Sequence, residues 1–184
     1  MKNAKKLIIL DRDGVINYDS ENYIKTSDEW IPIPGSLSAI ACLTKLGYII
    51  VIATNQSGVA YGYYSLETLK AIHQKMREEL AKVGGHIEQI YFCPHAPEAN
   101  CVCRKPNSGL LYAIAQDFPK AFPDATLVGD SLRDIQAAQK AGCRSVLVKT
   151  GNGRKTIDRN KGLKGIPIFE DLSDYVSHLK LKSE

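Results

Sequence analysis

The chain predicts an α/β fold, a doubly wound and mostly parallel sheet with helices on its faces. Three observations carry this. Short apolar runs rich in β-branched residues alternate with longer segments of helical period. The runs are hydrophobic throughout rather than every second residue, as strands buried on both faces are. Acids and glycines follow them at once, as in Asp11-Arg12-Asp13-Gly14 after Leu7-Ile8-Ile9-Leu10 and Gly129-Asp130 after Thr126-Leu127-Val128. In open α/β sheets the crevice at the carboxyl ends of the strands is where ligands bind. At 184 residues the chain fits one domain with a substantial core.

The elements follow in order. After the first strand a polar stretch from Asn17 is closed by Pro32, Pro34 and Gly35. A helix is expected from Ser36, as N-cap, through Leu37, Ile40, Leu43 and Leu46 to Gly47. The strand Tyr48–Ala53 leads through a glycine-containing loop into a helix over 65–83. Ser65, Glu67 and Thr68 give it a capped start, and Gly84-Gly85 stops it. A strand over 87–92 precedes a cysteine-rich loop. Then come a helix over 109–118, a strand over 126–128, a helix over 130–141, a strand over 145–148 and an amphipathic terminal helix over 172–181. Lys149, Arg154, Lys155, Arg159, Lys161 and Lys164 read first as a solvated, mobile loop and second as a phosphate-attracting rim. Gly151-Asn152-Gly153-Arg154-Lys155-Thr156 does not meet the spacing of a P-loop.

Bulk properties exclude several classes. No apolar run approaches the ~20 residues that span a bilayer. Lys2, Lys5 and Lys6 precede only four apolar residues before Asp11, short of a signal-peptide core of about 7–15. A cytoplasmic location is expected. A net charge of +4 does not by itself imply nucleic acid. No nucleic-acid partner, no membrane and a monomeric state are expected.

Cys93-Pro94-His95 and Cys101-Val102-Cys103 put three of the five cysteines and one of four histidines within eleven positions. Three thiolates and an imidazole suit a closed, tetrahedral structural Zn²⁺ site that keeps the loop folded. The other readings are a disulfide, disfavoured in a reducing compartment, and free thiols, an oxidation hazard. Cys42 and Cys143 read as inert core residues. His73, His86 and His178 have no matching partners.

Asp11-Arg12-Asp13-Gly14, Thr54-Asn55-Gln56-Ser57-Gly58, Arg104-Lys105-Pro106 and Gly129-Asp130-Ser131-Leu132-Arg133-Asp134, in that order, resemble the haloacid dehalogenase (HAD) superfamily of phosphohydrolases. The gaps between them leave no room for a large cap domain, so a capless member is expected. The cysteine loop narrows the resemblance to the heptose-bisphosphatase and histidinol-phosphatase group, and Asp28-Glu29-Trp30, Gly35-Ser36-Leu37 and Lys149-Thr150-Gly151-Asn152-Gly153 extend it over nearly the whole chain. At Ser131 the chain departs from members that carry a lysine there.

The resemblance implies a Mg²⁺-dependent phosphomonoester hydrolase acting through an aspartyl-phosphate. Asp11 would be the nucleophile and Asp13 the acid and base. Asp11, the Asp13 backbone carbonyl and Asp130 would hold Mg²⁺, while Thr54 and Lys105 would stabilise the transferring phosphoryl group. Asp134 would be an outer acid or a support for Lys105. Arg104 would either grip a second phosphate or brace the zinc loop. Asn55, Gln56 and Ser57 would contact substrate or shape a tight loop. Arg12, by alternation of neighbours, would point away from the chemistry. The implied substrate is D-glycero-D-manno-heptose 1,7-bisphosphate, cleaved at C7 on the way to nucleotide-activated heptose. Histidinol phosphate is the runner-up and a polynucleotide 3′-phosphate the remote alternative. A non-catalytic zinc-binding module has no use for Asp11, Asp13, Lys105 and Asp130.

Overall fold

The computed structural model describes residues 6–159 and 161–182; Lys2 and Lys5 lie outside them. Six parallel strands form one sheet in the order β3-β2-β1-β4-β5-β6. They are β1 (Leu7–Leu10), β2 (Ile49–Asn55), β3 (Gln89–Cys93), β4 (Thr126–Gly129), β5 (Arg144–Val148) and β6 (Ile168–Phe169). The helices are α1 (Ser36–Lys45), α2 (Leu66–Lys82), α3 (Gly109–Asp117), α4 (Leu132–Ala141), α5 (Gly153–Asp158) and α6 (Leu172–Leu181), with short 3₁₀ turns at Pro97–Ala99 and Phe122–Asp124.

The uniform apolar character of β1 has a direct cause. Successive side chains of a strand face opposite sides of the sheet. Ile8 and Leu10 join one core with Ile40, Leu43, Ile72 and Met76. Leu7 and Ile9 join the other with Leu111, Ile114, Leu127 and Ala137. All four strand residues are buried, so there is no polar face to alternate with.

The chain builds β1, β2 and β3 outward in one direction, then crosses back to lay β4 on the other side of β1. That reversal opens a crevice at the carboxyl ends of the central strands. Between β1 and α1, and between β2 and α2, the described residues contain no further helix or strand, only the bridges Asp13↔Asn17 and Asn17↔Pro32. Among the described residues no cap covers the crevice.

Three expectations are corrected. Ser36 does not cap α1: Gly35 holds that position, and the Ser36 hydroxyl donates to the Ile16 carbonyl at 2.7 Å. The basic segment is not simply loop, because residues 153–158 form α5, pinned through buried Gly153 and Thr156. The Thr156 hydroxyl donates to the Asp130 carbonyl at 3.2 Å. The two residues of β6, paired with Leu147 and Val148, were too short to show as a pattern. No described helix is long and apolar enough to cross a membrane.

Candidate active site

The ends of β1, β2 and β4 bring Asp11, Thr54 and Asp130 to one cavity of about 270 Å³, which Lys105 enters from the crossover between β3 and α3. Asp13, Asn55, Gln56, Ser57 and Arg104 line the same cavity. The residues singled out around these strand ends thus meet, although they are scattered over the chain.

Lys105 is the pivot. It is 2% exposed, and its ammonium reaches three acceptors: the Ala53 carbonyl at 2.7 Å, Asp134 Oδ1 at 2.6 Å and Asp11 Oδ2 at 2.9 Å. Burial alone would lower its pKa, but Asp11 and Asp134 outweigh that and raise it, so the ammonium stays charged. Asp134 is fully buried; burial pushes its pKa up, and Lys105 more than reverses this. Its other oxygen accepts from the Ser131 amide at 3.1 Å and hydroxyl at 2.7 Å. Asp134 is therefore the support of Lys105, fixed by the first turn of α4. Asn55 holds the lysine's backbone, donating to its carbonyl at 3.0 Å and accepting from its amide at 3.1 Å.

Asp13 has a separate set of partners. Arg12 donates to both its oxygens, from Nε and Nη2, each at 3.0 Å. Asn17 and Gln56 add donors at 2.8 Å each. Arg12 does not point away from the chemistry: it is 1% exposed and also reaches Gln56 Oε1 at 3.1 Å and His73 Nε2 at 3.3 Å. His73, pushed down to about 3 by burial and by Arg12, is neutral and can accept from the guanidinium. Gln56 spends its remaining capacity on Thr54 Oγ1 at 2.9 Å and the Tyr64 hydroxyl at 2.7 Å. In this geometry Gln56 shapes the loop and aims Asp13. The missed pair, Arg12 and His73, lies 61 residues apart, and no local pattern links them.

Asp130 is held differently. Its Oδ2 accepts from the Asn152 amide at 2.8 Å and side chain at 3.2 Å. Two glycines close over that oxygen. A Cβ at Gly14 or at Gly151 would stand 2.2 Å from it, and both have positive φ, 81° and 55°. The backbone approaches here only because neither residue has a side chain.

Asp13 is matched by Arg12, and Asp11 and Asp134 share the ammonium of Lys105, while Asp130 takes its hydrogen bonds from the uncharged Asn152. Burial, opposed by Lys105, leaves Asp11 at about 7; burial with Asp134 and Asp11 nearby lifts Asp130 to about 8. Oxygens of all three acids lie within 4.8 Å of one another. Three buried carboxyl groups stand here beside one lysine, and burial holds two of them toward their neutral form. A hard divalent ion with oxygen ligands fits that set.

The second cluster stands at the end of β3. Sγ of Cys103 lies 3.1 Å from that of Cys93 and 3.3 Å from that of Cys101, with Cys93 and Cys101 3.5 Å apart. His95 Nδ1 is 3.6 Å from Cys93 and 3.3 Å from Cys103. The sulfurs are too far apart for a disulfide of about 2.05 Å, and all four ligand atoms lie within 4.8 Å. That is the donor set of one closed tetrahedral ion. Arg104 follows directly, and its Nη1 donates to the His95 carbonyl at 3.1 Å, so the residue both braces this loop and lines the cavity.

Comparison with known proteins matches residues 102–175 to a HAD-hydrolase-like family model. A D-glycero-beta-D-manno-heptose-1,7-bisphosphate 7-phosphatase of Pseudomonas putida is 51% identical over 172 residues, covering 91% of this chain and 95% of that protein. The enzyme of the same name from Bordetella bronchiseptica is 50% identical over 174 residues, covering 95% and 97%. The chain belongs to the heptose-1,7-bisphosphate 7-phosphatase family. It is a phosphatase of the HAD type. The crystal structure of the Bordetella family member, complexed with magnesium and phosphate, superposes with a TM-score of 0.94 at 49% identity, covering 96% of this chain and 99% of that one. A family member from Burkholderia thailandensis superposes at 0.76 with 40% identity, covering 98% and 100%. The strand order, the uncapped crevice and the acid pair after β1 are thus those of a heptose-bisphosphatase family member.

Proposed function

We propose that this phosphatase removes the C7 phosphate of D-glycero-β-D-manno-heptose 1,7-bisphosphate through a phospho-enzyme on Asp11. The observation that carries the mechanism is the division of labour at the end of β1: Asp11 faces Lys105, while Asp13 is gripped by Arg12, Asn17 and Gln56. Two carboxylates one residue apart with unlike partners suit unlike roles. The substrate and its anomer are supported by the names of relatives 43–51% identical to this chain.

Asp11 attacks phosphorus and forms an aspartyl phosphate as the P–O bond to the sugar breaks. Asp13, protonated in the substrate complex, gives that proton to the departing C7 oxygen. A water then attacks the phosphoryl group, Asp13 takes its proton, and the P–O bond to Asp11 breaks to release inorganic phosphate. Lys105 and Thr54 stabilise charge on the transferring oxygens. Asp11, Asp130 and the Asp13 backbone carbonyl would hold Mg²⁺, whose charge assists the approach of a carboxylate to a phosphate dianion. Asn55 positions Lys105, and Ser57 offers a hydroxyl at the cavity wall. Cys93, His95, Cys101 and Cys103 would hold a structural Zn²⁺, which would fix the crossover carrying Arg104 and Lys105.

Two expected results test this. Elemental analysis of purified protein finds about one zinc per chain, and Cys101→Ser lowers zinc content and melting temperature together through lost thiolate coordination. A zinc-free protein of unchanged stability overturns the structural site. In the second, kcat/KM for the heptose bisphosphate exceeds that for histidinol phosphate and for heptose 7-phosphate. Arg104→Ala, by removing a charge-assisted anchor, lowers it roughly ten- to a hundredfold on the bisphosphate and much less on the monophosphate. Equal losses on both make Arg104 a brace only, and a preference for histidinol phosphate transfers the function to that substrate.

A further inference from the structure

Helix α2 buries Leu69, Ile72, Met76 and Leu80, and one polar residue, His73, is buried with them. A polar ring in such a place costs free energy unless a partner satisfies it. The partner is Arg12: among the described residues, the acceptor within reach of its Nη1 is His73 Nε2, at 3.3 Å. A guanidinium donates hydrogen bonds and cannot accept them. Nε2 must therefore present its lone pair, and the hydrogen-bond network assigns the ring proton to Nδ1. Phe92 of β3 holds the ring from the side, with centroids 6.0 Å apart and planes at 62°. His73 is 8% exposed and does not line the catalytic cavity. Any influence it has on the reaction passes through Arg12.

The rest of that guanidinium is committed to the site. Nε and Nη2 take the two oxygens of Asp13, and Nη2 also takes Gln56 Oε1 at 3.1 Å. The Tyr64 hydroxyl donates to the same Gln56 oxygen at 2.7 Å. Two donors on Oε1 fix the amide in one sense, which leaves its nitrogen to face Asp13 at 2.8 Å and Thr54 at 2.9 Å. Asp13 and Gln56 thus hold one side of the guanidinium plane, and His73 holds the far corner. Contacts along one side leave a plane free to rock about them. A third contact across from them stops it.

Orientation of a catalytic group is worth much of a rate, and it depends on neighbours that lock the group without touching substrate. We propose that His73 is a positioning residue: by accepting from Arg12 it locks the fork that aims Asp13, first as acid toward the leaving oxygen and then as base toward water. This rests on the phospho-enzyme reading above. It gives α2, which contributes no residue to the cavity wall, a share in both proton transfers.

The test separates proton transfer from binding and from folding. His73→Leu keeps an apolar side chain on the buried face of α2 and removes the acceptor. In it kcat for the heptose bisphosphate falls roughly tenfold, a part of the usual worth of a proton-transfer group, while KM changes less than about twofold. p-Nitrophenyl phosphate divides the two steps, because its leaving group departs without an acid. On this substrate the burst of nitrophenolate keeps its wild-type rate. Decay of the acid-quenched phospho-enzyme, which needs Asp13 as base, slows roughly tenfold. His73→Gln carries a carbonyl oxygen to the place of Nε2 and brings both values to within about threefold of wild type. His73→Asn, one carbon shorter, does not. A burst slowed as much as the decay would show a scaffold role, and wild-type rates in His73→Leu would show that Arg12 needs no anchor. A glutamine variant as slow as the leucine variant would show that the acceptor is not what matters. Each of these overturns the proposal. Should His73→Leu fail to fold, the contrast between His73→Gln and His73→Asn decides the same question. If neither wild type nor variant yields a phospho-enzyme, the Asp11 reading fails, and the order of kcat among the variants still decides the role of His73.

Discussion

Asp11→Asn is expected to abolish turnover, by more than about 10⁴-fold, while leaving the fold intact. The amide keeps the shape of the carboxylate and cannot attack phosphorus. It also costs little stability. Burial, although opposed by Lys105, already holds the Asp11 carboxyl up at about 7, so a neutral side chain suits this position, and Lys105 keeps Asp134 as its charged partner. The melting temperature should stay within a few degrees of wild type. Acid-quenched wild-type enzyme should carry one phosphoryl group by intact mass, and Asp11→Asn none. Asp13→Asn should lose about 10²–10⁴-fold, the usual worth of a proton-transfer group. Near wild-type turnover in Asp11→Asn would sink the covalent route.

Lys105→Met should damage both activity and stability. The variant preserves length and apolar bulk but removes the ammonium shared by Ala53, Asp11 and Asp134. Stripping one partner from a buried ion pair costs about 3–5 kcal/mol, because the other charge stays behind unpaired. In a chain of this length that corresponds to a melting temperature lower by roughly 10 °C. Turnover should fall by about 10²–10³-fold or more as charge on the phosphoryl oxygens loses its stabilising cation. Adding Asp134→Asn to Lys105→Met should recover part of the stability and none of the activity, since it removes the orphaned charge. The sign of the pH dependence follows. Burial would raise the pKa of Asp134, but Lys105 holds it below the ordinary 3.8. The stability from this pair is therefore present above that pH and lost as the pH falls through the lowered native value. A Lys105→Met protein that melts with the wild type would show that the pair contributes nothing.

The parts of the site legible in the sequence were those whose position follows from where a strand ends. Asp11, Asp130 and Thr54 stand at the carboxyl ends of β1, β4 and β2, and an apolar run marks such an end directly. The cysteine cluster was legible because its ligand spacing is local. Arg12 was misread by carrying strand alternation one step too far. β1 stops at Leu10, and from Asp11 the chain turns, with the amides of Val15, Ile16 and Asn17 all donating to the Arg12 carbonyl at 2.8–3.3 Å. Alternation has no meaning inside that turn, and the side chain folds inward onto Asp13. The basic segment was misread because charge dominates its composition. What orders it is uncharged: the Asn152 amide and the Thr156 hydroxyl, both bound to Asp130. Such contacts between distant segments have no local signature.

The order of strands in the sheet also bears on how the enzyme comes into being during synthesis. β1 is the first strand made, but it sits at the centre, and its neighbour on one side, β4, follows more than a hundred residues later. Asp11 leaves the ribosome long before Lys105, Asp130 and Asn152, the groups that balance, accompany and enclose it. A nascent chain that has completed β1, β2 and β3 therefore leaves one edge of the four-residue β1 unpaired and the cavity at its end incomplete. Domains generally fold as units during translation. The strand that leads to Asp11 gains its second neighbour, β4, together with the carboxylate of Asp130.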